Sequence, residues 1–256
     1  MRLWLLPLLL MVDHDYHAPA PSADKLHPAA ILLHGGDLVS GSSRGADELT
    51  LVRVLTQAGF AVFAINYRLA PQHPYPAALD DVKAAVQSLQ TDAQRLRVDA
   101  KRIVLVGIGA GGYLASLSGP PRVRAVVSLS APSDFRGWPA SPALRSFLAP
   151  LIDLRGLEPA LAEGSPVMHI RPGAPPFLLI HGDRDNVVPV VQATHWQNAL
   201  QSAGVSCNLM LIRGGGHSVV DWDALPDARD WRAEMAAWLN AALGRPGPSR
   251  VRSVVR

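Results

Sequence analysis

The chain predicts an α/β fold in which a mostly parallel sheet is flanked by helices on both faces. Three observations carry this. Short apolar runs alternate with longer amphipathic stretches, the rhythm of strand–helix–strand units. Glycine-bearing turns follow several of the apolar runs, at His34-Gly35-Gly36, Gly107 to Gly112, His181-Gly182 and Gly214-Gly215-Gly216. The 256 residues are 48% hydrophobic and 18% charged, a globular balance in a length that suits one domain with a substantial core. No internal repeat is visible.

The elements follow in order. Ala29 to Leu33 is an apolar run and reads as a strand. Asp47 to Ala58 has helical spacing and stops at Gly59, and Ala61 to Ile65 is the next strand. Pro76 to Gln90 is a helix with a proline entry and Ala78, Val82, Ala85 and Leu89 along one face. Ile103 to Val106 is a strand, Ala110 to Ser118 its helix, and Ala125 to Leu129 a further strand. Phe177 to Ile180, a helix from Val190 to Ala203, Asn208 to Ile212 and a last helix from Asp227 to Leu243 complete the pattern. The rhythm breaks over residues 131–176, where eight prolines fall from Pro132 through Pro175. A connection of that length in a compact domain is usually functional, so it reads as a small lid-like insertion over the sheet's carboxyl edge, with a short helix at Pro142 to Leu151.

The ends differ from the body. Residues 245–256 hold Arg245, Arg250, Arg252 and Arg256 and no acid, so the formal charge of +3 falls to about −1 without them. With Pro246, Gly247 and Pro248 this end reads as a disordered basic tail rather than a nucleic-acid site, because no aromatic residue interleaves the arginines. Residues 1–20 form a possible signal or N-terminal segment. Leu3 to Val12 resembles a signal-peptide core but falls short of the roughly 20 residues a membrane span needs. The small-residue site Ala18-Pro19-Ala20 precedes Pro21, which disfavours cleavage, so a cytoplasmic location is favoured over export. Cys207 is the only cysteine, which excludes an intrachain disulfide. No metal-ligand cluster or cofactor motif is required.

The turns carry the chemistry. Gly107-Ile108-Gly109-Ala110-Gly111 has the frame of a nucleophile elbow, G-x-S-x-G between a strand and a helix, with glycine in the serine's place. The central residue of such a corner is held in a strained conformation, costing on the order of 1–3 kcal/mol for a non-glycine residue. Glycine relieves that strain and deletes the hydroxyl. Whether drift or an introduced change put it there, the attacking group is gone. His34-Gly35-Gly36 is a turn whose amides can converge on a developing oxyanion. His181-Gly182-Asp183-Arg184-Asp185 offers two acids after a strand. Asp185 is chosen as the acid that orients a histidine, since an Asp beside Gly182 more often bonds its own turn. His217 follows the last strand on Gly214-Gly215-Gly216 and is the candidate base among nine histidines. The order 109, 185, 217 is elbow, acid, histidine.

These segments together resemble the α/β-hydrolase superfamily, in its esterase and lipase branch of hormone-sensitive-lipase-like and feruloyl-esterase-like proteins. The resemblance runs from about Tyr16 to Leu243. It rests on His34-Gly35-Gly36, on Asn66-Tyr67-Arg68-Leu69-Ala70-Pro71 with Pro74-Tyr75-Pro76 and Asp80-Asp81, on the elbow, on His181 to Asp185 with Val188-Pro189, and on Gly216-His217. It implies an α/β-hydrolase fold over residues 21–244, with Gly35, Gly36 and Ala110 lining an oxyanion hole and Asp185 and His217 completing a triad with position 109. It also implies a small acyl ester as ligand and no cofactor. Three departures stand out. Gly109 replaces the nucleophile, Asp37 replaces a third glycine of the oxyanion motif, and few residues precede the first strand, so the sheet is expected to be trimmed there.

Three functions compete. The first is a serine-type carboxylic-ester hydrolase scaffold, inactive or nearly so with glycine at 109. The second is a non-catalytic binding protein that keeps the pocket. The third is a dinucleotide binder through Gly107-Ile108-Gly109-Ala110-Gly111-Gly112, which literally satisfies G-x-G-x-x-G. The last leaves the His34, His181 and Gly214 turns unexplained. Oligomeric state is not encoded legibly.

Overall fold

Seven strands form one sheet: β1 (Asp13–His17), β2 (His27–Leu33), β3 (Ala61–Asn66), β4 (Val98–Ile108), β5 (Ala125–Leu129), β6 (Phe177–Gly182) and β7 (Cys207–Ile212). Their order is β1-β3-β2-β4-β5-β6-β7. Every pairing is parallel except that of β1, which runs antiparallel to β3. This computed structural model describes residues 12–21, 26–118, 123–138, 141–225 and 230–244. Residues 1–11 of the possible leader expected at 1–20, and the disordered tail expected at 245–256, lie outside the described residues.

Side chains of one strand alternate between two cores, as a period of two requires. Ala29, Ile31 and Leu33 face a core built with α2 (Ala77–Thr91), α3 (Ala110–Ser118), α4 (Pro142–Arg155) and α6 (Val191–Ser202). Ala30 and Leu32 face the opposite core, with α1 (Ala46–Gln57) and α7 (Trp231–Ala242). The fully buried stretches of the interior strands, such as Ala29–Leu33 of β2 and Ile103–Ile108 of β4, carry no charged residue because both of their faces are covered.

Three elements depart from the sequence reading. Residues 13–17 belong to the sheet, so the domain begins before the boundary placed at residue 21. This strand lacks an apolar run because it is an edge: Asp13 accepts from Asn66 Nδ2 at 2.9 Å, and Asp15 takes both Ser43 Oγ (2.6 Å) and Arg44 (2.8 Å). Charge on an edge strand also discourages pairing with other chains. The second departure is the insertion. Its helix extends to Arg155, with Ser141 capping the amide of Leu144, and a second helix, α5 (Leu157–Gly164), follows Gly156. Pro159 sits in the first turn of α5, where a missing N–H costs little. The third is the last helix, which starts at Trp231 rather than Asp227.

The corner after β4 depends on close approach. A Cβ on Gly111 would lie 2.1 Å from the carbonyl oxygen of Leu33 and 2.5 Å from that of His34. Both are backbone atoms at the end of β2, so no side-chain rotation relieves the clash. Gly111→Ala is expected to destabilise the fold by about 3 kcal/mol, read as a lowered urea midpoint, whereas Gly173→Ala, whose Cβ meets nothing within 4 Å, is expected to cost far less despite its positive φ.

Candidate active site

Gly109 stands alone between the end of β4 and the start of α3, with φ of +52°. Its N–H donates to Leu129 O at 2.8 Å, and its carbonyl accepts from Tyr113 at 3.0 Å, which opens the helix. A Cβ at this position would have two neighbours within 4 Å: His217 Nε2 at 3.5 Å and Cε1 at 3.9 Å. Those are ordinary contact distances. Position 109 therefore has room for a side chain, and that side chain would meet an imidazole nitrogen.

His217 is brought there by a buried carboxylate. Its Nδ1 lies 2.8 Å from Asp185 Oδ2, and the Asp185 side chain has no exposed surface. The other oxygen, Oδ1, accepts from the amides of Val187 (2.9 Å) and Val188 (2.8 Å). Burial alone raises the Asp185 pKa, but the hydrogen bonds from His181, His217 and the two amides outweigh it and hold the carboxyl well below its usual range. An ionised Asp185 fixes the proton on Nδ1, which leaves the Nε2 lone pair facing position 109. His181 is 1% exposed and donates through Nε2 to Val188 O at 2.8 Å, with Asp185 Oδ2 at 3.3 Å. Asp183 accepts from the amide of Gly214 at 2.7 Å and so anchors the loop that carries His217.

The oxyanion turn needs one correction. Gly35 was expected to offer its amide, but that N–H donates to Glu48 Oε1 at 3.0 Å and is committed. The chain then passes through three consecutive left-handed residues, Gly36 (φ 107°), Asp37 (φ 56°) and Leu38 (φ 67°). Such strain persists only where the surroundings impose it. Asp37 and Leu38 share a cavity of about 190 Å³ with Gly109, Ala110 and His217. Tyr113 of α3 and Phe135, Trp138 and Leu144 from residues 131–176 line it on the other side. Asp37 is exposed at this rim. His34 lies buried under the turn, stacked on Tyr67 with ring centres 4.0 Å apart, and burial lowers its pKa. Glu48 and its neighbour Asp47 were not singled out from the sequence, because acids in a first helical turn are ordinary complements to the helix dipole.

Among the described residues no group of three or more His, Cys, Asp or Glu side chains is placed to hold a metal, and no helix is long and apolar enough to cross a membrane.

The chain is similar to known proteins over most of its length. A family model described as BD-FAE matches residues 15–121, and one described as the prolyl oligopeptidase family matches residues 76–246. Esterase LipC of Mycobacterium tuberculosis is 30% identical over 224 residues, covering 79% of this chain and 55% of the relative. Ethyl acetate hydrolase of Pseudomonas putida is 38% identical over 102 residues, 40% of this chain and 32% of that protein. The chain thus spans about half the length, or less, of these curated relatives. Among solved structures, a truncated carbohydrate esterase from gut microbiota superposes with a TM-score of 0.78 at 22% identity over 91% of each chain. A butyrate-bound esterase, Est2 of Thermogutta terrifontis, gives 0.72 at 26% identity over 92% and 90%.

The carboxylate at the centre of the site has a measurable signature. A carboxyl whose folded pKa lies below its unfolded value stabilises the protein above the unfolded pKa, and that stability is lost as pH falls through the folded value. Asp185→Asn is therefore expected to lower stability at pH 7 by about 1–3 kcal/mol and to flatten the acid side of a plot of urea midpoint against pH from 7 to 3. A variant curve parallel to the native one would mean that Asp185 is not ionised and hydrogen-bonded as described.

Proposed function

Because the chain belongs to the α/β-hydrolase family of esterases and lipases, we propose that its cavity receives a small carboxylic ester and that Gly109 holds the place of an attacking serine. The observation that carries this is the 3.5 Å separation between His217 Nε2 and a Cβ built on Gly109. A hydroxyl one bond further out comes within hydrogen-bonding reach of that nitrogen. A relative named as an esterase, another named as an ethyl acetate hydrolase and the butyrate-bound neighbour support an acyl ligand, and a cavity of about 190 Å³ suits a short one.

With serine at 109 the reaction follows from the placement of groups. The hydroxyl oxygen attacks the ester carbonyl carbon while His217 Nε2 takes its proton. The carbonyl oxygen, now an alkoxide, is met by the amides of Ala110 and of the Gly36–Asp37 turn. Gly35, committed to Glu48, has no part in this. Imidazolium stabilised by Asp185 then returns the proton to the leaving alcohol, and an acyl-enzyme remains. Water, deprotonated by the same nitrogen, attacks the acyl carbon; the bond to the serine oxygen breaks, that oxygen takes the proton back from His217, and the acid is released. With glycine at 109 only the last kind of step survives. Water held by His217 attacks the ester directly, without a covalent intermediate and without an anchored nucleophile, so turnover is low.

The absence of the hydroxyl favours a second reading, a binding protein that holds an acyl ligand without converting it. A nucleotide across the Gly107 to Gly112 turn fits less well, because His217 occupies the space in front of the corner.

Gly109→Ser should hydrolyse p-nitrophenyl acetate or butyrate about 10⁴-fold or more faster than the native chain, the scale on which losing one triad member acts. Equal rates in the two proteins refute the assignment of position 109. No turnover in either, with saturable binding of butyrate to both, selects the binding protein.

A further inference from the structure

Two adjacent acids of α1 reach two different loops of the site. Asp47 Oδ1 accepts from Ser218 Oγ at 2.7 Å and from the amide of Val220 at 3.1 Å. Ser218 is the residue next to His217. Glu48 Oε1 accepts from the amide of Gly35 at 3.0 Å, and Gly35 is the residue before the strained Gly36–Leu38 turn. Glu48 is 6% exposed, and burial raises its pKa against the pull of the Gly35 hydrogen bond. Leu51 and Leu55, one and two turns along, are fully buried in the core that also holds Trp222. Trp222 in turn donates from Nε1 to Gly216 O at 2.9 Å, on the other side of His217. The first turn of α1 is thus a rigid post between the base loop and the oxyanion turn.

We propose that Asp47 and Glu48 are paired positioning residues for ester hydrolysis: Asp47 sets the His217 loop and Glu48 sets the amides of the oxyanion turn. Neither touches the space in front of Gly109. Their effect passes through Ser218 and Gly35. Because both hang on one helical turn, base and oxyanion donors keep a fixed separation, which the attacking oxygen and the carbonyl oxygen of one reacting ester demand. This inference rests on the hydrolase reading above.

The test is made in the Gly109→Ser chain with p-nitrophenyl butyrate. Glu48→Ala and Asp47→Ala are each expected to lower kcat about 10-fold or more with KM little changed, since misplacement of about 1 Å costs on the order of 10²-fold. Glu48→Gln and Asp47→Asn keep an accepting oxygen and are expected to restore most of the rate, which a general loss of stability would not allow. Ser218→Ala removes the shorter of the two Asp47 contacts, leaves α1 and the Val220 amide bond in place, and should reproduce part of the Asp47→Ala loss. Folded alanine variants with kcat within about 2-fold of the parent overturn the proposal. If Gly109→Ser turns over no ester, the hydrolase reading fails, and the loop placement is decided on the native chain by NMR. The His217 Nδ1–H proton should then exchange faster and broaden in Ser218→Ala and Asp47→Ala but not in Asp47→Asn. A signal unchanged in the alanine variants overturns the proposal on that ground as well.

Discussion

The hydrogen bond between Asp185 and His217, 2.8 Å long and shielded from water on the carboxylate side, is the contact on which the rest of the site depends. It joins the loop after β6 to the loop after β7 and so turns two strand ends into one device. Its direction matters as much as its strength. A carboxylate that already accepts two backbone amides is fixed in orientation, and an imidazole that donates to it has one ring nitrogen left. That nitrogen faces the corner after β4. Parallel strands make this convergence possible, because all their carboxyl ends lie along one edge of the sheet, where loops from different strands meet.

The corner itself shows chemistry and stability pulling apart. At φ of +52° a serine costs on the order of 1–3 kcal/mol that glycine does not. The surrounding structure still imposes the bend: Gly109 N–H bonds to Leu129, Gly111 lies against the carbonyls of Leu33 and His34, and Asp37 and Leu38 remain left-handed. The Gly36–Leu38 turn holds two non-glycine residues at positive φ, whereas glycine at 109 takes its positive φ without that strain. On the proposal that residue 109 holds a serine's place, glycine there favours stability over reactivity, and Gly109→Ser is expected to reverse both.

The sequence carried much of this and withheld some of it for physical reasons. Buried strands such as Ala125–Leu129 announce themselves because both faces are apolar, and the glycine turns mark where strands end at the site. Asp185 and His217 were picked out by those turns, and the structure brings the two side chains to 2.8 Å. β1 was not, because an edge strand bearing Asp13, His14 and Asp15 has no apolar signature. The second insertion helix was hidden by Pro159 and the prolines around it. Gly35 was assigned an amide it cannot offer, since the competing acceptor, Glu48, sits thirteen residues away on a helix. The contact from Ser218 to Asp47 spans 171 residues, and no periodicity or motif encodes a partner at that distance.

If the imidazole is aimed as described, a serine at 109 becomes a nucleophile of unusual reactivity while every other serine stays ordinary. Treating the native chain, Gly109→Ser and Gly109→Ser with His217→Ala with a fluorophosphonate, and mapping the adduct by peptide mass spectrometry, tests this directly. The account predicts one adduct, at residue 109, in Gly109→Ser only, with loss of fluoride and no label in the other two proteins. An unlabelled Gly109→Ser chain, or the same labelling with and without His217, would contradict it.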